Sequence, residues 1–439
     1  MEYLNKNPRR DFLKTSAIVT GGLMIQPFSL SGAYAAGSDE IKIAVIGCGG
    51  RGTGAVFQAF DTGHNIKLVA MADAFRDRID KSYEPIFNKY GKDKVDVPEE
   101  RKFAGFEGYK EAIKLADVVI LAAPPGFRPD HFEEAVKQGK QIFMEKPVAI
   151  DATGIRKVLA AAEEAKKKKL NVVVGLQRHY QDNYRETVKR IHDGAVGDII
   201  GGQVYWNDGG VWVNPRQPGQ TEMEYQMRNW YYFNWLCGDH IVEQHVHNLD
   251  VANWVKNSYP VKAYGTGGRQ VRTGKEYGEI FDHHSITFTY ADGTVIFSEC
   301  RHFPGATNRV DERFQGTKGN VYLSAGNHGI LTEWGGKEIY NHNRDNNPNP
   351  YQVEHDELFD AIVKGEYKFA DAENAAKSTM TAILGRYATY SGKEISWDEA
   401  LNSTVDLMPE RLAWDAMPKV LPNEEGFYPF AIPGKTKVI

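Results

Sequence analysis

Ile41-Lys42-Ile43-Ala44-Val45-Ile46-Gly47-Cys48-Gly49-Gly50-Arg51-Gly52 decides the fold. A short apolar run of strand type ends on Gly47-x-Gly49-x-x-Gly52, and a helical pattern follows through Phe60. A glycine triplet placed between strand and helix is the fingerprint of a dinucleotide site. The glycines allow a tight turn and close backbone approach, and the helix start offers unpaired N–H groups to a pyrophosphate. Gly50, Arg51 and a small buried Cys48 complete the loop.

Outward from this loop, strands and helices alternate. Lys67 to Ala72 reads as a second strand ending on Asp73, followed by a helix and a charged insertion, Asp77 to Arg101. Asp117 to Ala123, Lys140 to Met144 and Asn171 to Gly175 read as buried parallel strands. Helices are predicted from Pro129 to Gln138 and from Ile155 to Lys169. This order predicts an α/β fold: a doubly wound, parallel Rossmann domain over residues 39–178. Asp73 is placed to accept from the adenosine ribose hydroxyls, which favours NAD, while Arg76 and Arg78 just after it keep NADP open.

Beyond Tyr180 the texture changes. Strands at Ile199 to Trp206, Val261 to Gly265, Ser285 to Tyr290 and Thr294 to Arg301 follow one another, with Asp292-Gly293 as a hairpin signal. Residues 179–439 are therefore expected to form an α+β domain on a large, mainly antiparallel open sheet. Helices return at Tyr351 to Lys364 and Ala372 to Ser391.

The glycine loop, Asp73, Ala122-Ala123-Pro124-Pro125, His131 and then Glu145-Lys146-Pro147 stand in an order that resembles the Gfo/Idh/MocA oxidoreductases. In the second half, Gly238 to Asp250 looks like that family's catalytic helix. The resemblance implies a tightly bound nicotinamide cofactor, touched also by Ala123, Pro124, His131, Glu145 and Lys146. It further implies Lys146, Glu243 and His247 as the catalytic set, with Asp250 the following carboxylate. Glu243 stands where the family more often has Asp, and His245 where it usually has Gly, which leaves the proton path open.

Read from the residues alone, Glu243 and His247 are four apart and predicted to share one helix face with His240 and Asp250. Such a face has plausible metal-ligand spacing, but a positively charged nicotinamide beside Lys146 disfavours a divalent cation, and no metal is expected there. A secondary alcohol loses its hydroxyl proton as it loses hydride. His247 suits the general base; Lys146 is either the partner that stabilises charge on oxygen or the base itself.

Trp206, Asn207, Asp208, Trp212, Arg228, Trp230, Tyr231, Tyr232 and Trp235 bunch aromatic rings with polar side chains. That mixture suits a carbohydrate, whose C–H faces pack on rings while its hydroxyls need paired donors and acceptors. Trp206, Asn207, Arg228, Trp230, Tyr231 and His247 are the expected substrate contacts, with Arg178 from the Gln177-Arg178-His179-Tyr180 segment. Half of the aromatics are equally well explained as core or subunit interface.

The first 35 residues carry Arg9-Arg10-Asp11-Phe12-Leu13-Lys14, an apolar stretch from Ala17 to Leu30 and Ala33-Tyr34-Ala35. This is the pattern of a twin-arginine export leader, so a folded, periplasmic protein is expected, with a retained membrane anchor as the lesser reading. The chain of 439 residues is 41% hydrophobic and 25% charged, an ordinary globular composition. A net charge of −5 excludes a basic nucleic-acid footprint. Three cysteines, Cys48, Cys237 and Cys300, imply no disulfide framework. A homodimer or homotetramer through the C-terminal sheet is expected.

Because free NAD(P) is not expected outside the cytoplasm, bound cofactor must be regenerated in place. A sugar or glycoside dehydrogenase, with C3 a candidate carbon, is the favoured reading. A redox-neutral, NAD-dependent glycosidase working by oxidation, elimination, hydration and re-reduction is the alternative. A non-catalytic sugar-binding protein is the third.

Overall fold

The computed structural model describes residues 40–342 and 346–439, so the expected leader, residues 1–35, lies outside the described residues. The first sheet is built from β1 (Ile41–Ile46), β2 (Ile66–Asp73), β3 (Lys102–Ala104), β4 (Val118–Leu121), β5 (Gln141–Met144) and β6 (Val172–Val174). Between them run α1 (Gly50–Asp61), α2 (Arg76–Lys94), α3 (Gly108–Leu115), α4 (Arg128–Lys137) and α5 (Ala152–Lys168). All strands are parallel in the order β3-β2-β1-β4-β5-β6. The order reverses between β1 and β4, and in open α/β sheets ligands bind in the crevice that such a reversal leaves at the strands' carboxyl ends. The central strands are mainly apolar because helices cover both faces, as the fully buried Val118–Leu121 illustrates.

The charged stretch after Asp73 is not simply an insertion. It holds most of the expected helix, α2, and just beyond it β3 adds the outermost strand to the sheet.

After α6 (Asp182–His192) the second sheet begins with β7 (Ile199–Asp208). Four short helices follow: α7 (Glu222–Arg228), α8 (Asn234–Cys237), α9 (His240–Glu243) and α10 (Val246–Lys256). The remaining strands are β8 (Pro260–Gly268), β9 (His283–Tyr290), β10 (Val295–His302), β11 (Arg309–Gly316), β12 (Gly319–Ser324), β13 (His328–Glu333) and β14 (Glu338–Asn341). The chain ends through α11 (Pro350–Val363), α12 (Ala372–Ser391), β15 (Ile395–Ser396) and α13 (Trp397–Leu401).

The nine strands run β14-β13-β12-β11-β7-β10-β9-β8-β15. Every pair is antiparallel except β7 with β10, which run side by side in the same direction. Along β9 burial alternates strictly, so one face packs on the core and the other is open. The buried α12 lies against the inner face, and Gly385 shows how closely: a Cβ there would come 2.9 Å from the ring of Phe288. The chain also returns to the first sheet, where Ala370 bridges Val172 and α11 packs over α1. No helix among the described residues is long and apolar enough to cross a membrane.

The single helix expected over Gly238 to Asp250 is broken. Asp239 enters it at φ 76°, and α9 lasts one turn. The amide of His245 then bonds the carbonyl of His240, five residues back, before α10 restarts at Val246. Such a wide turn inserts an extra residue and rotates α10 relative to α9, so His240 and Asp250 no longer share a face with Glu243 and His247, which both line the cavity.

Candidate functional site

One cavity of about 630 Å³ runs from the glycine loop to the C-terminal sheet. At one end lie Gly47, Gly49 and Gly50, with Asp73, Phe75, Arg78, Phe106 and Tyr109 beyond them. The same cavity is lined by Lys146, Trp206, Trp212, Trp230, Glu243, Gln244 and His247.

Gly47 sits at φ +95°, and a Cβ on it would lie 2.2 Å from the amide nitrogen of Ala123. Gly52 faces inward, where a Cβ would meet the Gly47 carbonyl at 2.0 Å. Gly52 therefore packs helix on strand instead of lining the cavity. Gly49 and Gly50 are different, since a Cβ on either meets nothing within 4 Å. Gly49 caps α1 without a side-chain hydrogen bond, so the first N–H groups of the helix stay available to an anion.

Asp73 accepts from the Cys48 amide at 2.8 Å and the Phe75 amide at 2.9 Å, which aims the carboxylate at the loop. Burial pushes its pKa up, and these two N–H groups pull it back. Arg51 forms a short ion pair with Glu145, and its guanidinium lies 5.0 Å from the Tyr351 ring centroid. Ala123, Pro124 and His131 also line the cavity. Burial, with Arg128 nearby, pushes His131 down to about 3, so it is a neutral aromatic wall that packs 4.2 Å from Tyr109.

Lys146 follows β5 and precedes a cis peptide bond to Pro147. Its ammonium donates to Glu243 Oε1 at 3.1 Å and to the main-chain carbonyl of the same residue. Burial raises the Glu243 pKa and the Lys146 charge opposes that rise. The His247 ring stacks on Trp206 at 5.9 Å. Burial, followed by the charges of Lys146 and Arg178, holds its pKa well below the ordinary imidazole value. A buried imidazole kept neutral is a proton acceptor.

Several expected contacts lie elsewhere. Arg178 is buried against Glu312, and its charge is spent on that carboxylate. Asn207 donates to Glu299 at 2.7 Å from within the sheet. Arg228 makes a bidentate pair with Asp77 of α2, outside the cavity wall. Tyr231 is buried and is absent from the cavity wall, its hydroxyl donating to Gln244 at 3.4 Å and bonding Glu243. Tyr232 and Trp235 are core residues whose polar atoms bond Val211, Trp212 and Gln226. Because of the broken helix, His240 turns toward Asp239 and His284, and Asp250 pairs with His179 at 2.6 Å.

Sequence reasoning missed Arg128, Gln244, Phe75, Phe106, Tyr109 and Tyr351, all of which line the cavity. Arg128 is wholly buried, donates to the Leu121 carbonyl at 2.8 Å, and is pushed down to about 10 by burial. Its place two residues past the Pro-Gly pair that ends β4's loop was the available signal.

Residues 41–174 match the family described as "Oxidoreductase family, NAD-binding Rossmann fold", and residues 184–322 match the GFO/IDH/MocA C-terminal domain. Together the two matches cover more than half of the chain. The chain belongs to the Gfo/Idh/MocA oxidoreductases.

Among relatives, inositol 2-dehydrogenase of Rhizobium meliloti (strain 1021) is 26% identical over 263 residues, covering 58% of this chain and 67% of that protein. The 2,7-anhydro-N-acetylneuraminate hydratase of Escherichia coli (strain K12) is 23% identical over 213 residues, covering 48% of this chain and 52% of that protein. Levoglucosan dehydrogenase in complex with NADH and levoglucosan superposes with a TM-score of 0.63 at 14% identity, covering 81% of this chain and 99% of that one. As a Gfo/Idh/MocA protein it is an oxidoreductase of the dehydrogenase type whose Rossmann domain binds NAD. The open Gly49 and Gly50, the uncapped α1 and the inward Asp73 fit that cofactor.

Proposed function

We propose that the protein oxidises a secondary alcohol of a sugar or glycoside, with C3 the candidate carbon, using NAD held tightly along the cavity. The observation that carries this reading is that Lys146 and His247, the latter stacked on Trp206, line one cavity with Trp212, Trp230 and the glycine loop. Bound NAD supplies the hydride acceptor. His247, kept neutral, takes the hydroxyl proton. The Lys146 ammonium donates to the same oxygen as charge develops, and Glu243 orients it. The tryptophans offer apolar faces to the sugar ring, and Gln244 offers an amide.

A redox-neutral reaction on the same residues is the second reading. The hydratase relative favours it, because a neutral base beside an ammonium also serves elimination and hydration next to a transient ketone. In either case we place the protein in the periplasm on the strength of Arg9-Arg10 and the leader pattern after it. A second copy would cover the open sheet face, where Ile200, Val261, Tyr264 and Val295 are exposed.

Incubating the purified protein with a nitrophenyl glycoside, without added NAD, separates the readings. Dehydrogenation gives stoichiometric reduction of bound cofactor and stops. The redox-neutral path releases nitrophenol over many turnovers with no net reduction. Neither signal, across α- and β-glycosides of several sugars, would reject catalysis on glycosides.

A further inference from the structure

We infer that Asp239, His240 and His284 form a buried site for one divalent transition-metal ion of the zinc type, separate from the NAD and substrate cavity. The three residues offer one carboxylate oxygen and two imidazole nitrogens, all within 4.8 Å of one another. Asp239 Oδ1 lies 3.2 Å from His284 Nε2 and 3.8 Å from His240 Nε2. Ligands around tetrahedral zinc, each about 2.0–2.2 Å from the ion, stand roughly 3.3–3.6 Å apart. The two measured spacings, 3.2 and 3.8 Å, bracket that range.

Proton accounting points the same way. Thr389 Oγ1 lies 3.1 Å from the carbonyls of Gly385 and Arg386, so its hydrogen belongs to the helix backbone. It then accepts from His284 Nδ1 at 2.9 Å, which places the proton on that nitrogen. With that proton on Nδ1, the Nε2 lone pair faces the Asp239 carboxylate. Two lone pairs facing each other in a site almost fully shielded from water repel unless a cation lies between them. His240 Nε2, like His284 Nε2, is buried and has no hydrogen-bond partner. One metal ion satisfies both nitrogens.

The surroundings suit an ion. His240 and His284 are both fully enclosed, with ring centroids 4.9 Å apart. Donation of the far ring nitrogen, as His284 donates to Thr389, is the usual outer-shell arrangement of a metal-bound histidine. The other oxygen of Asp239 is fixed by the Phe281 amide at 3.0 Å and the Tyr390 hydroxyl. Three protein ligands leave one position for water.

The site stands at the start of α9, the one-turn helix that ends on Glu243. It also abuts His302, whose ring lies 4.3 Å from that of His240 and whose Nε2 bonds Gln244 at 2.7 Å. The ion would thus hold the turn that presents Glu243 and Gln244.

The test uses the full soluble chain, stripped with chelator, loaded with a tenfold excess of Zn²⁺ and passed through gel filtration. We expect about one zinc per chain to remain and the unfolding temperature to rise by about 5 °C. Co²⁺ in place of Zn²⁺ should give visible absorption of low-symmetry N/O ligation. His284→Gln and His240→Gln should each cut retained metal to under a tenth of an ion per chain. Wild-type protein that retains less than a tenth of an ion overturns the site, whether or not the variants fold. Equal retention by wild type and both folded variants overturns it as well, by placing the metal elsewhere.

Discussion

Lys146 and Glu243 meet across the cleft between the two domains, with the ammonium 3.1 Å from the carboxylate and a further bond to the Glu243 main-chain carbonyl. One residue follows the fifth strand of the Rossmann sheet, and the other ends a one-turn helix of the second domain. The pair therefore assembles only when both domains are in register. It places a positive charge against the cavity wall that carries His247.

This arrangement ranks three substitutions. Lys146→Ala removes the donor to the developing oxyanion and should slow single-turnover reduction of bound NAD by roughly 10²–10³-fold. His247→Ala should slow it by roughly 10²–10⁴-fold. Glu243→Gln should cost about tenfold, because the main-chain carbonyl still tethers Lys146. Stopped-flow absorbance at the reduced-nicotinamide band reads all three, and wild-type rates in Lys146→Ala would remove that lysine from the mechanism.

The glycines divide by where a Cβ would go. Gly49 has extended backbone at φ −79° and open space around it, so Gly49→Ala should leave the unfolding temperature within about 2 °C of wild type. Its methyl would instead occupy the anion cradle and weaken NAD binding at least tenfold. Gly47→Ala should fail differently, by destabilising the protein itself, since it combines positive φ with a clash at Ala123. Calorimetric NAD titration beside thermal unfolding separates them; unaltered affinity in Gly49→Ala would place the pyrophosphate elsewhere.

The contrast shows what a sequence can carry. Gly47, Gly49 and Asp73 are legible because a strand-loop-helix junction has one local geometry, and Lys146 because it ends a strand of known order. The second domain is less legible because its site is assembled from separated pieces. Arg178, Arg228 and Tyr231 looked like ligand contacts, yet each is claimed by a partner no spacing rule reveals: Glu312, Asp77 and Gln244. β3 was hidden just beyond a charged stretch because a three-residue edge strand has no periodicity to read. His240 and Asp250 were misplaced by a single extra residue in one turn.

Acid should destabilise the fold through its buried imidazoles. His131, His245 and His355 are each pushed down to about 3, chiefly by burial. Their unfolded value is about 6.5, so the stability they contribute is present above that pH and is lost as pH falls toward the folded values. Glu279 and Glu312, each pushed up to about 7 by burial, act in the opposite sense between about pH 7 and 4.3. His302, pushed down to about 4, joins the histidines, and four groups against two leave a limiting slope of about 3 kcal/mol per pH unit. Urea midpoints measured from pH 6.5 to 4.5 should fall throughout; a flat profile would mean that these histidines are solvated.

Arg228 should govern cofactor release without touching it. Its guanidinium bonds both Asp77 oxygens, at 3.0 and 2.8 Å, and lies 3.7 Å over the ring of Phe75. Phe75 lines the nucleotide end of the cavity, and Asp77 opens α2 of the Rossmann domain. The second domain thereby clamps the segment that closes over the nucleotide. Because Asp77 is 40% exposed, removing its partner leaves no buried charge and should cost little stability. Arg228→Ala should then raise the NAD dissociation rate about 3–10-fold, the loss of a bidentate pair and a ring contact. Hydride transfer at saturating NAD should stay within about twofold of wild type. Arg228→Lys keeps the charge but not the fork, and should fall between the two. Fluorescence chase of bound NADH measures the release step directly, and an unchanged rate in Arg228→Ala would show that the clamp does not gate the cofactor.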